Sequence, residues 1–126
     1  MGAPLFLLGY FLGGALAALT QGYFSPFGGG LIGASGAISW AAGAFFVLFP
    51  LKVPSRFWGQ WLGPLLSKIP AFFYIGLWFL SQFQGGFVSL LAVSMETDVA
   101  MVAHWAHIGG FAAGAVMAIP WIWQKN

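Results

Sequence analysis

The sequence predicts an all-α, polytopic membrane protein with about four transmembrane helices. Three observations predict it: an apolar composition, four apolar runs of spanning or near-spanning length, and charges confined to the stretches between and after them. Of the 126 residues, 60% are apolar, 19% aromatic and 5% charged. Soluble domains carry charge on roughly a quarter of their residues. Four basic and two acidic side chains cannot cover the surface of a soluble fold of this length. The length suits one domain. The basic residues are few and scattered, which argues against nucleic acid as a partner. With no cysteine, neither a disulfide nor a thiolate site is available, and redox usage says nothing about compartment. No basic region precedes the first apolar run, so a secretory signal is not expected, and the first helix itself can direct insertion.

A spanning helix needs about 20 apolar residues. The first run covers about 4–20, and its Gly9 and Gly13 form a small-xxx-small pair that permits close helix approach. Gln21 to Ile32 follows as an irregular loop, because Pro26 and three successive glycines disfavour a helix. A second helix is expected over about 36–49, ending before Pro50. Lys52, Pro54 and Arg56 mark a loop, and Phe57 to Leu66 reads as an interfacial helix. The third helix is expected over about 69–83, ended by Gln84-Gly85-Gly86, with Gln82 and Gln84 at the interface and Phe87 to Asp98 as a connector. The fourth, over about 99–123, closes on Trp121, Trp123 and Lys125, an aromatic belt beside a basic anchor. Other Trp and Phe stripes read as lipid-facing bulk.

The charges set a topology. Lys52, Arg56 and Lys68 follow the second helix, and Lys125 follows the fourth. Two helices separate these places, so all four basic residues lie on one side of the membrane, and Glu96 and Asp98 lie on the other. The positive-inside rule makes the basic side cytoplasmic. Met1 and the C-terminus are then cytoplasmic, in a plasma or inner membrane, and the 21–32 loop faces outward.

The second helix is too short to span. Its 14 residues reach about 21 Å, against a hydrocarbon core of about 30 Å. The residues before it, Phe27 to Ile32, are nonetheless apolar or glycine. A loop that dips into the membrane accounts for both, with the helix starting at depth. Irregular backbone is tolerated there only where protein buries it or water reaches it. Ser35, in Gly33-Ala34-Ser35-Gly36, then sits at a helix N-terminus beside a wet cavity. Unpaired backbone N–H groups at that end suit a developing oxyanion. In the fourth helix, His107 lies eight positions after Val99, about 12 Å in from the outer end. An ionisable residue inside a span is a functional candidate. Gly110, Gly114 and Ala118 follow His107 at helical spacing, and Ser35, Ser39 and Gly43 form a matching small face. Two bare faces pack closely and bring an imidazole to a hydroxyl, the pairing by which a base activates serine.

Each signal has a plainer competitor. Gly-x-Ser-Gly also describes a serine bonded to a carbonyl one turn back, and an intramembrane histidine also occurs as a packing residue. His104 and His107 are spaced to share a metal, but no cysteine, third histidine or acidic residue accompanies them at depth, so no metal is expected. Gly28-x-Gly30-x-x-Gly33 matches the dinucleotide fingerprint in letters only, since no strand precedes it and no acidic residue lies near 20 positions on.

Together LIGASGAISWAAGAFFVLFP and AHWAHIGGFAAG resemble the last half of a rhomboid intramembrane serine protease. The spacing of the two motifs and the short helix behind the serine also fit. The resemblance begins near Leu5, in a segment like the family's third core helix, and runs to the C-terminus. It implies one rhomboid-like membrane domain over 1–126, Ser35 as nucleophile and His107 as general base. It further implies Gly33 as the glycine of the serine motif and the Ser35 backbone N–H as an oxyanion donor. Gly36, Ser39, Gly43, Gly110 and Gly114 are the expected helix-packing positions. The family works without a cofactor on transmembrane protein substrates, often cutting at small residues, and the third span resembles the helix implicated in substrate entry.

Two departures stand out. Only four of the family's six core helices are visible, so the chain is expected to be partial or truncated, with the preceding helices as partners. In the family the second of those helices normally supplies His and Asn to the oxyanion hole. Ser39 also stands where many members carry an aromatic residue that stacks on the histidine. The function expected is a Ser–His dyad endopeptidase of transmembrane substrates, impaired as this chain alone. The alternative is a catalytically inactive rhomboid-like protein that binds transmembrane helices, and a third reading is a fragment with no independent function.

Overall fold

The computed structural model describes residues 2–24, 34–52, 69–95 and 103–123, which form four helices and, among the described residues, no strand. They are α1 (Ala3–Phe24), α2 (Ser35–Leu48), α3 (Ala71–Ser94) and α4 (His104–Trp123). Three are long and apolar enough to cross a membrane: α1, α3 over Ala71–Ala92, and α4. The apolar α2 is shorter. The expected dipping loop, the interfacial helix over Phe57 to Leu66, Gly33, Arg56, Lys68, Glu96, Asp98 and Lys125 lie outside the described residues.

Two helix ends differ from the sequence expectation. α1 continues through Gln21 and Gly22 to Phe24. α3 does not stop at Gln84-Gly85-Gly86 but runs ten residues past Gln84, to Ser94. Glycine weakens a helix in water, where a frayed backbone can bond to solvent. Inside a bilayer the freed N–H and C=O groups have no such partner, so the helical ladder persists. In α3, neighbouring rings also crowd the two glycines. A Cβ on Gly85 would collide with the His104 ring, and one on Gly86 would stand 3.1 Å from the Trp105 ring. At α4 the described helix begins at His104, which puts His107 one turn from its start rather than eight residues in.

In lipid, helices associate by close packing rather than by escaping water. The tightest seam joins α2 and α4, which run parallel. A Cβ on Gly110 would strike the Gly36 carbonyl, one on Gly114 the Trp40 carbonyl, and one on Gly43 the Phe111 carbonyl. α1 runs antiparallel to both. Its Gly9 and Gly13 form a notch filled by the ring of Trp40, which is 1% exposed. The Trp40 indole N–H donates to Met117 Sδ at 3.4 Å, and Phe6 meets the ring edge-on at 5.7 Å. α3 covers another side of α4, with Phe79 stacked on Phe111 at 4.0 Å. The outer face of α1, including Leu8, Phe11 and Leu19, is exposed, which suits contact with lipid.

Candidate active site

Ser35 is the first residue of α2. The residue before it, Ala34, provides no side-chain cap, and the first helical bond runs from the Ile38 N–H to the Ala34 carbonyl at 2.9 Å. The N–H groups of Ser35, Gly36 and Ala37 therefore have no partner within the helix. These three residues border a cavity of about 140 Å³. Gly14, Ala17 and Ala18 of α1, Ala34 to Ala37, and Ala106 of α4 line it. Every lining side chain is small, so the Ser35 hydroxyl is among the few polar groups at the cavity wall. The position is exposed.

The parallel seam brings this end of α2 to the start of α4. Gly36, next after Ser35, lies against Ala106, next before His107, where a Cβ at 36 would stand 3.7 Å from the Ala106 Cβ and carbonyl oxygen. One turn on, Gly110 meets the Gly36 carbonyl. Ser35 and His107 thus flank one helix contact. Ser39 is buried, and its hydroxyl donates to the Ser35 carbonyl at 2.8 Å. Gly43 and Gly114 extend the same seam inward.

The His107 ring is half-buried and turned toward α3. Its Nδ1 lies 2.8 Å from Gln82 Oε1, and His104 Nδ1 lies 3.0 Å from the same oxygen. Trp78, one turn before Gln82, sets its ring 5.7 Å from the imidazole. An aromatic neighbour for His107 therefore comes from α3, while Ser39 occupies the position expected to carry one. Among the described residues, no hydrogen bond joins Ser35 to His107.

Three contributors escaped the sequence reading. Gln82 was expected at the membrane interface, but it is 6% exposed and packed inside the bundle. Its misplacement follows from ending the helix at Gln84. Gln82, Gly86 and Ser89 recur at helical spacing along α3, a polar and small stripe that signals a packed face. Trp78 lies one turn before Gln82; it is partly exposed, as a lipid-facing ring would be, and its inner side meets His107. Gln21, assigned to a loop, is buried in α1 and accepts the Ala106 N–H.

No curated protein and no solved structure matched the chain. A family model described as the Rhomboid domain matches residues 1–124. That match extends over nearly all of the chain, both helix motifs included, and the chain belongs to the rhomboid family.

Proposed function

We propose that this chain is an intramembrane serine endopeptidase working by a Ser35–His107 dyad. The observation that carries the reading is the meeting of the α2 N-terminus with the start of α4 at Gly36 and Ala106, beside a cavity that Ser35 opens onto. In the reaction, His107 takes the Ser35 proton as Oγ attacks a peptide carbonyl. The carbonyl carbon becomes tetrahedral, and its oxyanion accepts hydrogen bonds from N–H groups at the start of α2. His107 returns the proton to the leaving amine, and water then hydrolyses the acyl-enzyme by the same route. The substrates are transmembrane proteins reached from the lipid bilayer. No cofactor takes part in this scheme. The chain lies with Met1 and the C-terminus in the cytoplasm.

One observation favours a second reading, a rhomboid-like protein that binds transmembrane helices without cutting them. The hydrogen bond of the His107 ring goes to Gln82 and not to Ser35. Apo sites often hold such pairs apart until substrate binds, so the hydrolase reading is preferred.

A fluorophosphonate probe applied to the chain in membranes separates the two. Ser35 should be labelled, Ser35→Ala and His107→Ala should not, and His104→Ala should remain largely reactive. A folded protein with an unreactive Ser35 would count against the hydrolase reading and favour the helix-binding one.

A further inference from the structure

We infer that Gln82 is the positioning residue of His107: its amide oxygen holds both histidine rings as Nδ1–H tautomers and leaves His107 Nε2 as the proton acceptor. The role given to His107 rests on the hydrolase reading above, but the tautomer assignment does not.

The hydrogen-bond network decides which way the Gln82 amide faces. Its Nε2 lies 3.3 Å from the Trp78 carbonyl oxygen and 3.1 Å from Ser81 Oγ. A backbone carbonyl can only accept, so the amide nitrogen must face it. Ser81 spends its own hydrogen on the same Trp78 carbonyl at 2.6 Å, which leaves its oxygen able to accept from Gln82. Turning the amide over would set two carbonyl oxygens against each other. With the nitrogen fixed there, Oε1 points at the rings. That oxygen is a pure acceptor with two lone pairs, and two imidazole nitrogens lie within reach of it. Each must therefore donate, so Nδ1 carries the hydrogen on both rings. A neutral imidazole has one N–H, so both Nε2 atoms carry the lone pair.

Three features hold this arrangement. Gln82 is buried, so water does not compete for its amide. The Trp78 ring lies beside His107 and limits its rotation. The bare Cα of Gly85 gives the His104 ring its place, since a Cβ there would overlap it. When His107 gains a proton at Nε2, its Nδ1–H bond to Gln82 becomes charge-assisted and strengthens. A neutral amide thus does the orienting work that a carboxylate does in a triad, with less stabilisation of the cation.

The simpler account is that Gln82 only ties α3 to α4. Ring-nitrogen NMR of the full chain in lipid nanodiscs, with 15N-labelled histidine, separates the two. The chain has two histidines, and His104→Asn assigns the His107 signals. The wild type should show a protonated Nδ1 and a bare Nε2. Gln82→Leu should lose that preference, and Gln82→Glu, which keeps an acceptor, should retain it. Fluorophosphonate labelling of Ser35 should slow about tenfold in Gln82→Leu, the worth of one lost hydrogen bond, and recover in Gln82→Glu. Thermal unfolding of each variant shows whether the fold persists. A wild-type His107 protonated at Nε2 overturns the proposal, and that spectrum decides it even where Gln82→Leu does not fold. An unchanged His107 spectrum in folded Gln82→Leu overturns it too. A wild type with the Nδ1–H tautomer and an unreactive Ser35 refutes the hydrolase reading and upholds the tautomer assignment.

Discussion

Gln21 Oε1 accepts the backbone N–H of Ala106 at 3.1 Å, across 85 residues of sequence. Ala106 lies in the first turn of α4, where backbone donors have no intrahelical partner. A side chain of α1 thereby caps α4 immediately before His107. Gln21→Leu leaves that N–H buried and unpaired, at a cost of about 1–3 kcal/mol. The melting temperature in detergent should fall, and Ser35 labelling should weaken with it. Gln21→Glu keeps the acceptor and should be milder. Equal melting temperatures for wild type and Gln21→Leu would remove the cap from this account.

Two glycine substitutions should have opposite effects. A methyl at Gly114 meets the Trp40 carbonyl in the α2–α4 seam. Because backbone cannot move aside as a side chain does, Gly114→Ala should destabilise by about 1–3 kcal/mol. It should also disturb the register of α2 on α4, and with it Ser35 labelling. A methyl at Gly22 meets no heavy atom within 4 Å. Gly22→Ala should be neutral or stabilise α1 by up to about 1 kcal/mol, through helix propensity alone. Unfolding in a titrated detergent mixture measures both, and a more stable Gly114→Ala protein would contradict the seam.

Trp78 touches both His107 and Phe111 through its ring, at 5.7 and 6.5 Å between centroids. Aromatic pairs of this kind are worth about 0.5–1.5 kcal/mol. Trp78→Leu should slow fluorophosphonate labelling by up to about tenfold, the equivalent of that energy. Trp78→Phe should retain most of the rate. A Leu variant as fast as wild type would show that the ring does not restrain the imidazole.

The proposed orientation is open to cysteine scanning without background, because the chain has no cysteine. In intact cells Lys52→Cys should resist an impermeant thiol reagent and Glu96→Cys should react. The reverse pattern would invert the topology.

Membrane residence and helical class were legible from the sequence, because both follow from local properties. Apolar length and the placing of a few charges need no knowledge of neighbours. Ser35 and His107 were singled out by the same means, as a serine at the head of a short helix and an ionisable residue in an apolar one. Gly9, Gly13, Gly110 and Gly114 were visible as small faces, though not what would fill them. It took the packed bundle to set a Trp40 ring in the Gly9–Gly13 notch and backbone carbonyls on Gly110 and Gly114.

Tertiary structure alone decided the rest. Gly85 and Gly86 read as a stop signal because glycine is judged against water, yet in the bundle their bare Cα atoms receive the His104 and Trp105 rings. Gln82 and Gln21 read as interfacial or loop residues because an amide in an apolar run looks misplaced until its partners are known. Those partners, the two imidazoles and the Ala106 N–H, lie 22, 25 and 85 residues away. Periodicity shows which face of a helix is special, but the partner of a buried polar group is a property of two helices at once, fixed only when they pack.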